Sequence, residues 1–301
     1  MKIQKLGLGT VQFGLDYGIS NQRGRVSEGE AWDILSLAAN NGVTLLDTAT
    51  GYGDSELVLG GIMAARPGFF RVVTKLPVAA GPEVSEKDGE NVAAALTRSL
   101  SRLGLPAVYG LLAHHATDLL KPDGHRLIRA MEACRDAGMT QKIGVSIYTA
   151  TEIDGILDLF TPDVIQLPIN VADQRLIHSG HLEKLKKRGV EIHARSIFLQ
   201  GLLLMPPEKL PDYFSPVRHH FAAIHSAFDA KGWSPLEGCL RFAMEQPELD
   251  FVLTGVTGVD ELEEIVAIVQ RCDNDYHRQT FPAVPDESAH YLNPACWQVG
   301  Q

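Results

Sequence analysis

The sequence is poor in cysteine, has no long apolar run and carries fewer basic than acidic residues. Its four cysteines lie far apart and none belongs to a Cys-x-x-Cys pair, so neither a zinc site nor a redox motif is indicated. The sequence has no run of about 18 apolar residues, so no membrane span is predicted, and the first residues lack the pattern of a secretion signal. Lys and Arg together number 27 against 37 Asp and Glu, a formal net charge of −10 that argues against nucleic-acid binding. We therefore expect a soluble cytoplasmic protein with reduced cysteines that binds neither nucleic acid nor a membrane.

Short β-rich segments alternate with helical segments along most of the chain. Several of the β-rich segments are apolar at successive positions, which is typical of parallel strands covered on both faces. The predicted strands are residues 3–10, 43–47, 71–75, 108–114, 142–146, 163–167, 190–196 and 250–255. Helix signals lie between them: Ser27 with Glu30, and Thr149 with Glu152, form Ser/Thr-x-x-Glu capping boxes that predict helix starts.

A closed (β/α)8 TIM barrel, an α/β fold, explains this alternation most simply, because neighbouring parallel strands are then joined by right-handed crossovers. The main alternative is an open doubly wound sheet. Its Gly-x-Gly-x-x-Gly turn is missing, since Gly7 and Gly9 are not followed by the third glycine. We predict a single barrel domain over residues 1–301. It has a long loop insertion before the last strand at 201–235, with a helix of its own over the barrel mouth, and an irregular C-terminal tail at 271–301.

Four polar residues stand at or just after the ends of successive predicted strands. Asp47 ends the second strand, Tyr52 follows it in a glycine-flanked loop, Lys75 ends the third strand and His114 ends the fourth. Barrel enzymes place their chemistry at the C-terminal ends of the strands. We therefore predict that the four side chains meet at one mouth and carry out proton chemistry around a carbonyl or an alcohol.

The motif around Tyr52 resembles the signature of the aldo-keto reductase superfamily. Residues 47–60 read Asp-Thr-Ala-x-x-Tyr-Gly-x-Ser-Glu-x-x-Leu-Gly, and segments 73–75, 103–105, 111–114 and 142–146 resemble later parts of the same family in matching order. The resemblance runs from Leu6 to about Val269. It implies a barrel, a bound nicotinamide dinucleotide and a catalytic tetrad of Asp47, Tyr52, Lys75 and His114.

The chemistry of that tetrad suits carbonyl reduction. Hydride transfer leaves negative charge on the substrate oxygen, so a proton donor such as Tyr52 must stand beside it. A free phenol, with a pKa of about 10, matches neutral pH poorly, but a nearby ammonium such as that of Lys75 favours the phenolate. Asp47 would keep Lys75 charged and oriented, and His114 would donate a hydrogen bond to the substrate oxygen.

Each of these residues taken alone has a structural interpretation. An Asp–Lys pair at a strand end can be a simple ion pair, a lone tyrosine can be a packed loop aromatic, and a lone histidine can belong to the barrel interior. Their joint occurrence in matching order favours the functional interpretation.

The remaining histidines do not predict a metal site. His115 follows His114 directly, and adjacent strand residues point to opposite faces, so the two do not share one ion. His219, His220 and His225 lie in the predicted insertion without a ligand pattern.

The resemblance also implies contacts to the nicotinamide end of the cofactor. Ser146 and Gln166 stand where the family holds the carboxamide, and Ile147 replaces the asparagine that is usual after Ser146. Arg195, which precedes Ser196, stands where many relatives stack an aromatic ring. A planar guanidinium can stack as well; the equal alternative is that Arg195 pairs with a surface carboxylate. We count Ser146, Gln166, Arg195 and Ser196 as candidate cofactor residues.

The phosphate-bearing end of the cofactor is assigned to the turn before the last helix. This turn contains Gly255, Thr257 and Gly258. Backbone N–H groups at a helix N-terminus can hold a phosphate, and the alternative is an ordinary closing loop. Relatives that use NADP carry a basic side chain near this turn, whereas here Asp260 and Glu261 follow. Carboxylates repel a phosphate and accept hydrogen bonds from a ribose hydroxyl. The family default is NADP(H), and the choice between NADP(H) and NAD(H) stays open.

The leading hypothesis is an NAD(P)(H)-dependent oxidoreductase that acts on a small aldehyde, ketone or sugar-like substrate with Tyr52 as proton donor or acceptor. A second is a cofactor-sensing binding protein on the same barrel with vestigial catalysis, motivated by Ile147, Arg195 and Gly258. A third makes Lys75 a Schiff-base nucleophile, which a neighbouring Asp47 would disfavour by keeping the amine protonated.

Overall fold

A closed barrel of parallel strands forms the centre of the computed structural model, which describes residues 2–272 and 280–297. Each strand pairs with its neighbours in sequence, and the first pairs with the last, Gly7 lying opposite Leu253. The strands are β1 Leu6–Gly9, β2 Leu45–Asp47, β3 Arg71–Lys75, β4 Val108–Ala113, β5 Thr140–Ser146, β6 Val164–Pro168, β7 Glu191–Arg195 and β8 Phe251–Gly255. The predicted (β/α)8 TIM barrel is confirmed.

Helices connect the strands and cover the outside of the barrel. In chain order the α-helices of the described residues are α1 Glu28–Asn40, α2 Ser55–Met63, α3 Glu86–Leu103, α4 Ala116–Leu120, α5 His125–Asp136, α6 Ala150–Leu159, α7 Arg175–His178, α8 His181–Lys187, α9 Arg218–Asp229, α10 Pro235–Met244 and α11 Val259–Arg271. Short 3-10 helices occupy Lys2–Lys5, Val11–Phe13, Leu202–Leu204, Pro207–Lys209, Asp212–Val217, Asp286–Leu292 and Pro294–Cys296. No helix within the described ranges is both long enough and apolar enough to cross a membrane.

The predicted capping residues begin their helices. The Ser27 hydroxyl accepts a hydrogen bond from the Glu30 N–H at the start of α1, and Thr149 and Glu152 form a reciprocal box at the start of α6. Such caps satisfy backbone donors that have no partner inside the helix. They help to set where each helix leaves the barrel rim.

The first strand is shorter than predicted. Residues Lys2–Lys5 form a 3-10 helix, and only Leu6–Gly9 belongs to the barrel. The Lys5 ammonium donates to the carbonyls of Met244 and Gln246 at 3.0 and 2.5 Å, which attaches the start of the chain to the C-terminal end of α10. Burial lowers the pKa of Lys5 to about 8.

The inside of the barrel has an apolar middle that separates two polar ends. Middle-layer side chains form their own small cluster, to which Leu45, Val73, Leu112, Val164 and Leu253 belong. The much larger apolar core lies between the strands and the helices. Side chains alternate along each strand, so the inward face of β2 that carries Leu45 also carries Asp47 two residues later.

The predicted loop insertion and the predicted C-terminal tail are both present. Residues 201–235 contain several 3-10 turns and α9, so the expected helix is there. The Phe228 ring of α9 lies 5.4 Å from the Phe281 ring of the tail, so this helix packs against the tail. Arg271, the first residue of the predicted tail, is the last residue of α11, and the part of the tail at 280–297 contains short 3-10 helices. Residues 273–279 and 298–301 lie outside the described ranges.

Candidate active site

Asp47 and Lys75 form a buried ion pair at the C-terminal ends of β2 and β3. The Lys75 Nζ donates to both carboxylate oxygens of Asp47, at 2.8 and 2.7 Å, and to the Thr48 carbonyl at 3.0 Å. Lys75 is 1% exposed and Asp47 5%. Burial opposes the charge on Lys75, but the charge and hydrogen bonds of Asp47, together with those of Tyr52, outweigh it and raise the pKa of Lys75. The amine is therefore an ammonium with its donors occupied, which argues against a Schiff-base nucleophile.

Tyr52 and His114 complete a compact group around this pair. The Lys75 Nζ lies 5.0 Å from the centroid of the Tyr52 ring, and the Tyr52 and His114 rings meet edge to face with centroids 5.9 Å apart. The structure thus brings together the four residues that the sequence places on three strand ends. Their catalytic roles remain predictions.

The loop that carries Tyr52 is held by other residues of the same motif. The Ser55 hydroxyl donates to the Thr10 carbonyl at 2.8 Å and accepts from the Thr48 hydroxyl at 3.1 Å. The buried Glu56 carboxylate accepts from the Thr74 hydroxyl at 2.8 Å. Several polar residues of the signature therefore brace the loop and leave Tyr52 to face the site.

Close backbone packing also positions this loop. A Cβ at Gly14 would lie 1.8 Å from the Tyr52 carbonyl oxygen, so the turn after β1 can approach the Tyr52 loop only because residue 14 is glycine. A Cβ at Gly51, one residue before Tyr52, would meet nothing within 4 Å.

His114 is a neutral imidazole under ordinary conditions. Burial, followed by the charges of Lys75, His115 and Arg195, lowers the pKa of His114 to about 3. A neutral imidazole keeps one N–H donor, so His114 can donate a hydrogen bond to a substrate oxygen. The neighbouring His115 is exposed and its ring centroid lies 5.1 Å from that of His114.

One elongated cavity of about 750 Å³ connects the tetrad with the turn between β8 and α11. Its walls include Asp47, Tyr52, Lys75 and His114 at one end, and Gly255, Thr257 and Glu261 at the other. Leu204 and Ser234–Leu236 of the insertion region also line it, whereas no described residue of α9 does.

The predicted nicotinamide residues all line this cavity, but Gln166 has an unexpected partner. Its side-chain amide donates to Asp47 Oδ1 at 2.7 Å. Ser146 and Ser196 lie on either side of Arg195, which donates to Ser146 Oγ and Ser196 Oγ at 3.3 Å and to the Ile147 carbonyl at 3.0 Å.

Arg195 lies inside the cavity and does not extend to a surface carboxylate. Its guanidinium carbon sits 4.1 Å from the centroid of the Tyr148 ring, so the planar group is stacked on an aromatic partner that the sequence did not point to. Ser196, next to it, has a φ of 59°. This left-handed conformation is uncommon outside glycine, and such backbone conformations tend to cluster at functional sites.

At the far end, two of the three predicted phosphate residues line the cavity. Gly255 and Thr257 belong to its wall. Gly258 instead lies beneath the guanidinium of Arg23, since a Cβ there would be 2.0 Å from Arg23 Nη1. Sequence reasoning missed Arg23, because it comes from the connection between β1 and α1 and no local pattern links it to α11.

The residues present fit a nicotinamide dinucleotide. The cavity is lined both by the tetrad and by residues at the N-terminus of α11, and its wall offers further polar groups. Gln12 belongs to that wall, and its Oε1 is buried without a hydrogen-bond partner. When bound, such a cofactor would supply or accept the hydride. Among the described residues, no group of three or more His, Cys, Asp or Glu side chains is arranged to hold a metal ion.

A closed (β/α)8 barrel with a cluster of ionisable side chains at its C-terminal mouth has the architecture of a TIM-barrel enzyme, and comparison with known proteins gives the family. The sequence model of the Aldo/keto reductase family matches residues 5–278. The chain therefore belongs to the Aldo/keto reductase family. It is an oxidoreductase that uses NAD(P)H and acts on carbonyl compounds.

Relatives of known name agree with this membership. The chain is 26% identical over 284 residues to L-galactose dehydrogenase of Arabidopsis thaliana, covering 91% of this chain and 86% of that protein. It is 28% identical over 237 residues to an aldo-keto reductase of Mycolicibacterium vanbaalenii, covering 74% and 72% of the two chains.

Solved structures share the fold. An aldo-keto reductase of Bacillus halodurans, in its holo form, superposes with a TM-score of 0.74 at 17% identity over 94% of both chains. The glycerol dehydrogenase of Gluconobacter oxydans superposes with a TM-score of 0.65 at 21% identity, covering 92% of this chain and 94% of that one.

Proposed function

We propose that this protein transfers hydride between a nicotinamide cofactor and a hydroxyl-rich carbonyl or alcohol, with Tyr52 as the proton donor in reduction and acceptor in oxidation. The observation that carries the proposal is that the Tyr52 ring lies close both to His114, 5.9 Å away by ring centroids, and to the Lys75 ammonium, 5.0 Å from its centroid. A proton donor and a hydrogen-bond donor thereby share one end of the cavity.

The ion pair supports proton transfer by Tyr52. As hydride reaches the carbonyl carbon, the oxygen gains negative charge and takes the phenolic proton. The phenolate left behind is stabilised by the Lys75 ammonium. Asp47 keeps that ammonium charged at this position, because a lone buried ammonium would release its proton. The proton returns to Tyr52 from solvent after the product leaves.

His114 positions the reacting oxygen. Its neutral ring donates a hydrogen bond without adding a full positive charge beside Lys75. Two donors, one from Tyr52 and one from His114, then fix the orientation of the carbonyl for hydride delivery.

The walls around the tetrad favour a substrate with several hydroxyl groups. Tyr17, His115 and Tyr148 line this end of the cavity and offer phenol and imidazole groups for hydrogen bonds. Tyr17 is held by a hydrogen bond of 3.0 Å from Gln200. The names of two relatives, L-galactose dehydrogenase and glycerol dehydrogenase, support the same sugar-like class.

The test is a Tyr52→Phe variant, measured for cofactor binding by fluorescence titration and for turnover by nicotinamide absorbance against aldehydes, ketones and sugars. We expect binding to persist and turnover to fall by about 10²–10⁴-fold, the usual contribution of a positioned acid. Tyr213→Phe is the matched control, because its hydroxyl contacts the Cys296 carbonyl and Tyr213 is outside the cavity wall. Full turnover by Tyr52→Phe would refute the assignment. Tight binding by the wild type without turnover on any substrate would favour the cofactor-sensing alternative.

A further inference from the structure

Carboxylates occupy the hydrogen-bond donors at the far end of the cavity. Glu261 accepts from the Thr257 N–H at 2.7 Å and from the Thr257 hydroxyl at 2.9 Å. These two donors lie in the turn that opens α11, where free N–H groups would otherwise favour an anionic ligand. A protein anion therefore takes donors that a phosphate would use.

A second carboxylate reaches the same turn from α1. Glu30 accepts from the Val259 N–H, the first residue of α11, at 2.8 Å. The N-terminus of α11 thus has its partial positive charge balanced by Glu30 as well as Glu261.

Arg23, the cation at this end of the described cavity wall, is already paired. Its guanidinium binds both carboxylate oxygens of Asp260 at 2.8 and 2.7 Å, above Gly258. Glu264 also belongs to the cavity wall here. Arg23 is influenced by the charges of Asp260, Glu261 and Glu30. Of these three carboxylates Glu261 lines the cavity, as Glu264 does, so carboxylates outnumber the one guanidinium at this end.

We infer that this end of the cavity selects NAD(H) over NADP(H), with Glu261 as the main determinant and Asp260 as the residue that masks Arg23. The inference rests on the proposed function, which places the nicotinamide at the tetrad and hence the adenosine half at the α11 turn. A 2′-phosphate would bring close to two negative charges to a region of like charge, where the N–H and hydroxyl of Thr257 already bond to Glu261. The 2′-hydroxyl of NAD(H) is uncharged and can donate to a carboxylate.

The experiment is a fluorescence titration of the whole protein with NADH and with NADPH at low and high salt. We expect NADH to bind about tenfold or more tightly than NADPH, a difference that a single unscreened charge contact can supply. Glu261→Gln keeps the shape and one acceptor for Thr257 but removes the charge, so NADPH affinity should rise and the NADPH penalty should depend less on salt. Asp260→Asn should raise NADPH affinity too, because it frees Arg23 for a phosphate.

Glu263→Gln is the matched control, since this exposed residue of α11 is outside the cavity wall and loses the same charge. Tighter binding of NADPH than of NADH by the wild type would overturn the inference alone. An equal gain in NADPH affinity for Glu263→Gln would also overturn it, because the effect would then be one of total charge. Binding of neither cofactor would overturn the proposed function, and the inference with it. Circular dichroism melting of each variant verifies that it is folded.

Discussion

The side-chain amide of Gln166 donates a hydrogen bond of 2.7 Å to Asp47 Oδ1, so the carboxylate of β2 is held from β6 as well as from β3. Both oxygens of Asp47 also accept from the Lys75 ammonium, at 2.8 and 2.7 Å. The amide N–H that points at Asp47 is not free to bind a cofactor carboxamide at the same time. Gln166 is therefore a residue that orients the ion pair in addition to lining the cavity.

We predict that Gln166→Met weakens the fold, because it removes a hydrogen bond to a buried charge while keeping side-chain volume. A hydrogen bond to a charged group contributes about 1.5–3 kcal/mol, and the free energy of unfolding from urea titration should fall by that amount. In an Asp47→Asn background the same change should lower the free energy of unfolding by less, since the charged partner is gone. Equal costs in both backgrounds would show that Gln166 does not act through Asp47.

The contact of Gly14 with the Tyr52 loop predicts a selective loss of activity. A methyl group at position 14 would overlap the Tyr52 carbonyl oxygen, 1.8 Å away, so Gly14→Ala must displace the loop. A misplacement of about 1 Å in a catalytic group can cost on the order of 10²-fold, which steady-state turnover would detect. Gly51→Ala, with nothing within 4 Å of the added Cβ, should keep activity close to wild type. If both alanine variants behave alike, the close approach at Gly14 does not position Tyr52.

The low pKa of His114 predicts that it does not titrate in the physiological range. Because burial and neighbouring cations lower its pKa from 6.5 to about 3, the ring stays neutral from pH 5 to 8. The unfolded chain takes up this proton near pH 6.5 and the folded protein does not, so stability conferred by neutral His114 declines as pH falls from 6.5 towards 3.

The measurement is an NMR titration of the His114 ring protons, assigned by comparison with a His114→Asn variant. We expect chemical shifts that stay flat from pH 5 to 8. A midpoint near 6.5 would contradict the neutral-donor role, because His114 would then carry charge in mildly acidic solution.

The surroundings of Glu191, at the end of the barrel opposite the tetrad, predict that the fold is sensitive to acid. Its carboxylate contacts the Lys142 ammonium and accepts from the Tyr109 hydroxyl, and His193 Nε2 lies 2.8 Å away. Burial opposes the charge, but hydrogen bonds from His193 and Lys142 outweigh it and lower the pKa of Glu191 from 4.5 to about 2. A carboxyl group whose pKa is lowered by folding stabilises the fold at pH values above its pKa in the unfolded chain. This contribution disappears as the pH falls from 4.5 to 2.

Glu191→Gln should therefore lower the free energy of unfolding at neutral pH by about 3 kcal/mol, and the deficit should shrink as the pH approaches 2. Urea titrations across pH 2–7 would measure it. Glu183→Gln, whose side chain is 63% exposed, should have little effect at any pH. A deficit for Glu191→Gln that did not change with pH would show that packing, and not ionisation, sets its contribution.

Local sequence patterns were sufficient for the strands, the capped helices and the approximate place of the tetrad. Strand and helix signals are set within a few residues, and a side chain at a strand end is placed by the strand that carries it. The predicted start of β1 was wrong, because Lys5 bonds to the carbonyls of Met244 and Gln246, more than 230 residues along the chain. No local pattern encodes that contact.

The sequence by itself determined the barrel, the order of its strands and the arrival of Asp47, Tyr52, Lys75 and His114 at one mouth, because periodicity and strand-end position are local properties. Only the tertiary structure decided which side chains contact each other at the mouth and at the far end of the cavity. The bond from Gln166 to Asp47 joins residues 119 apart, and the pairing of Arg23 with Asp260 joins residues 237 apart. Such contacts depend on barrel closure and on loop conformation, which arise from the packing of the whole chain.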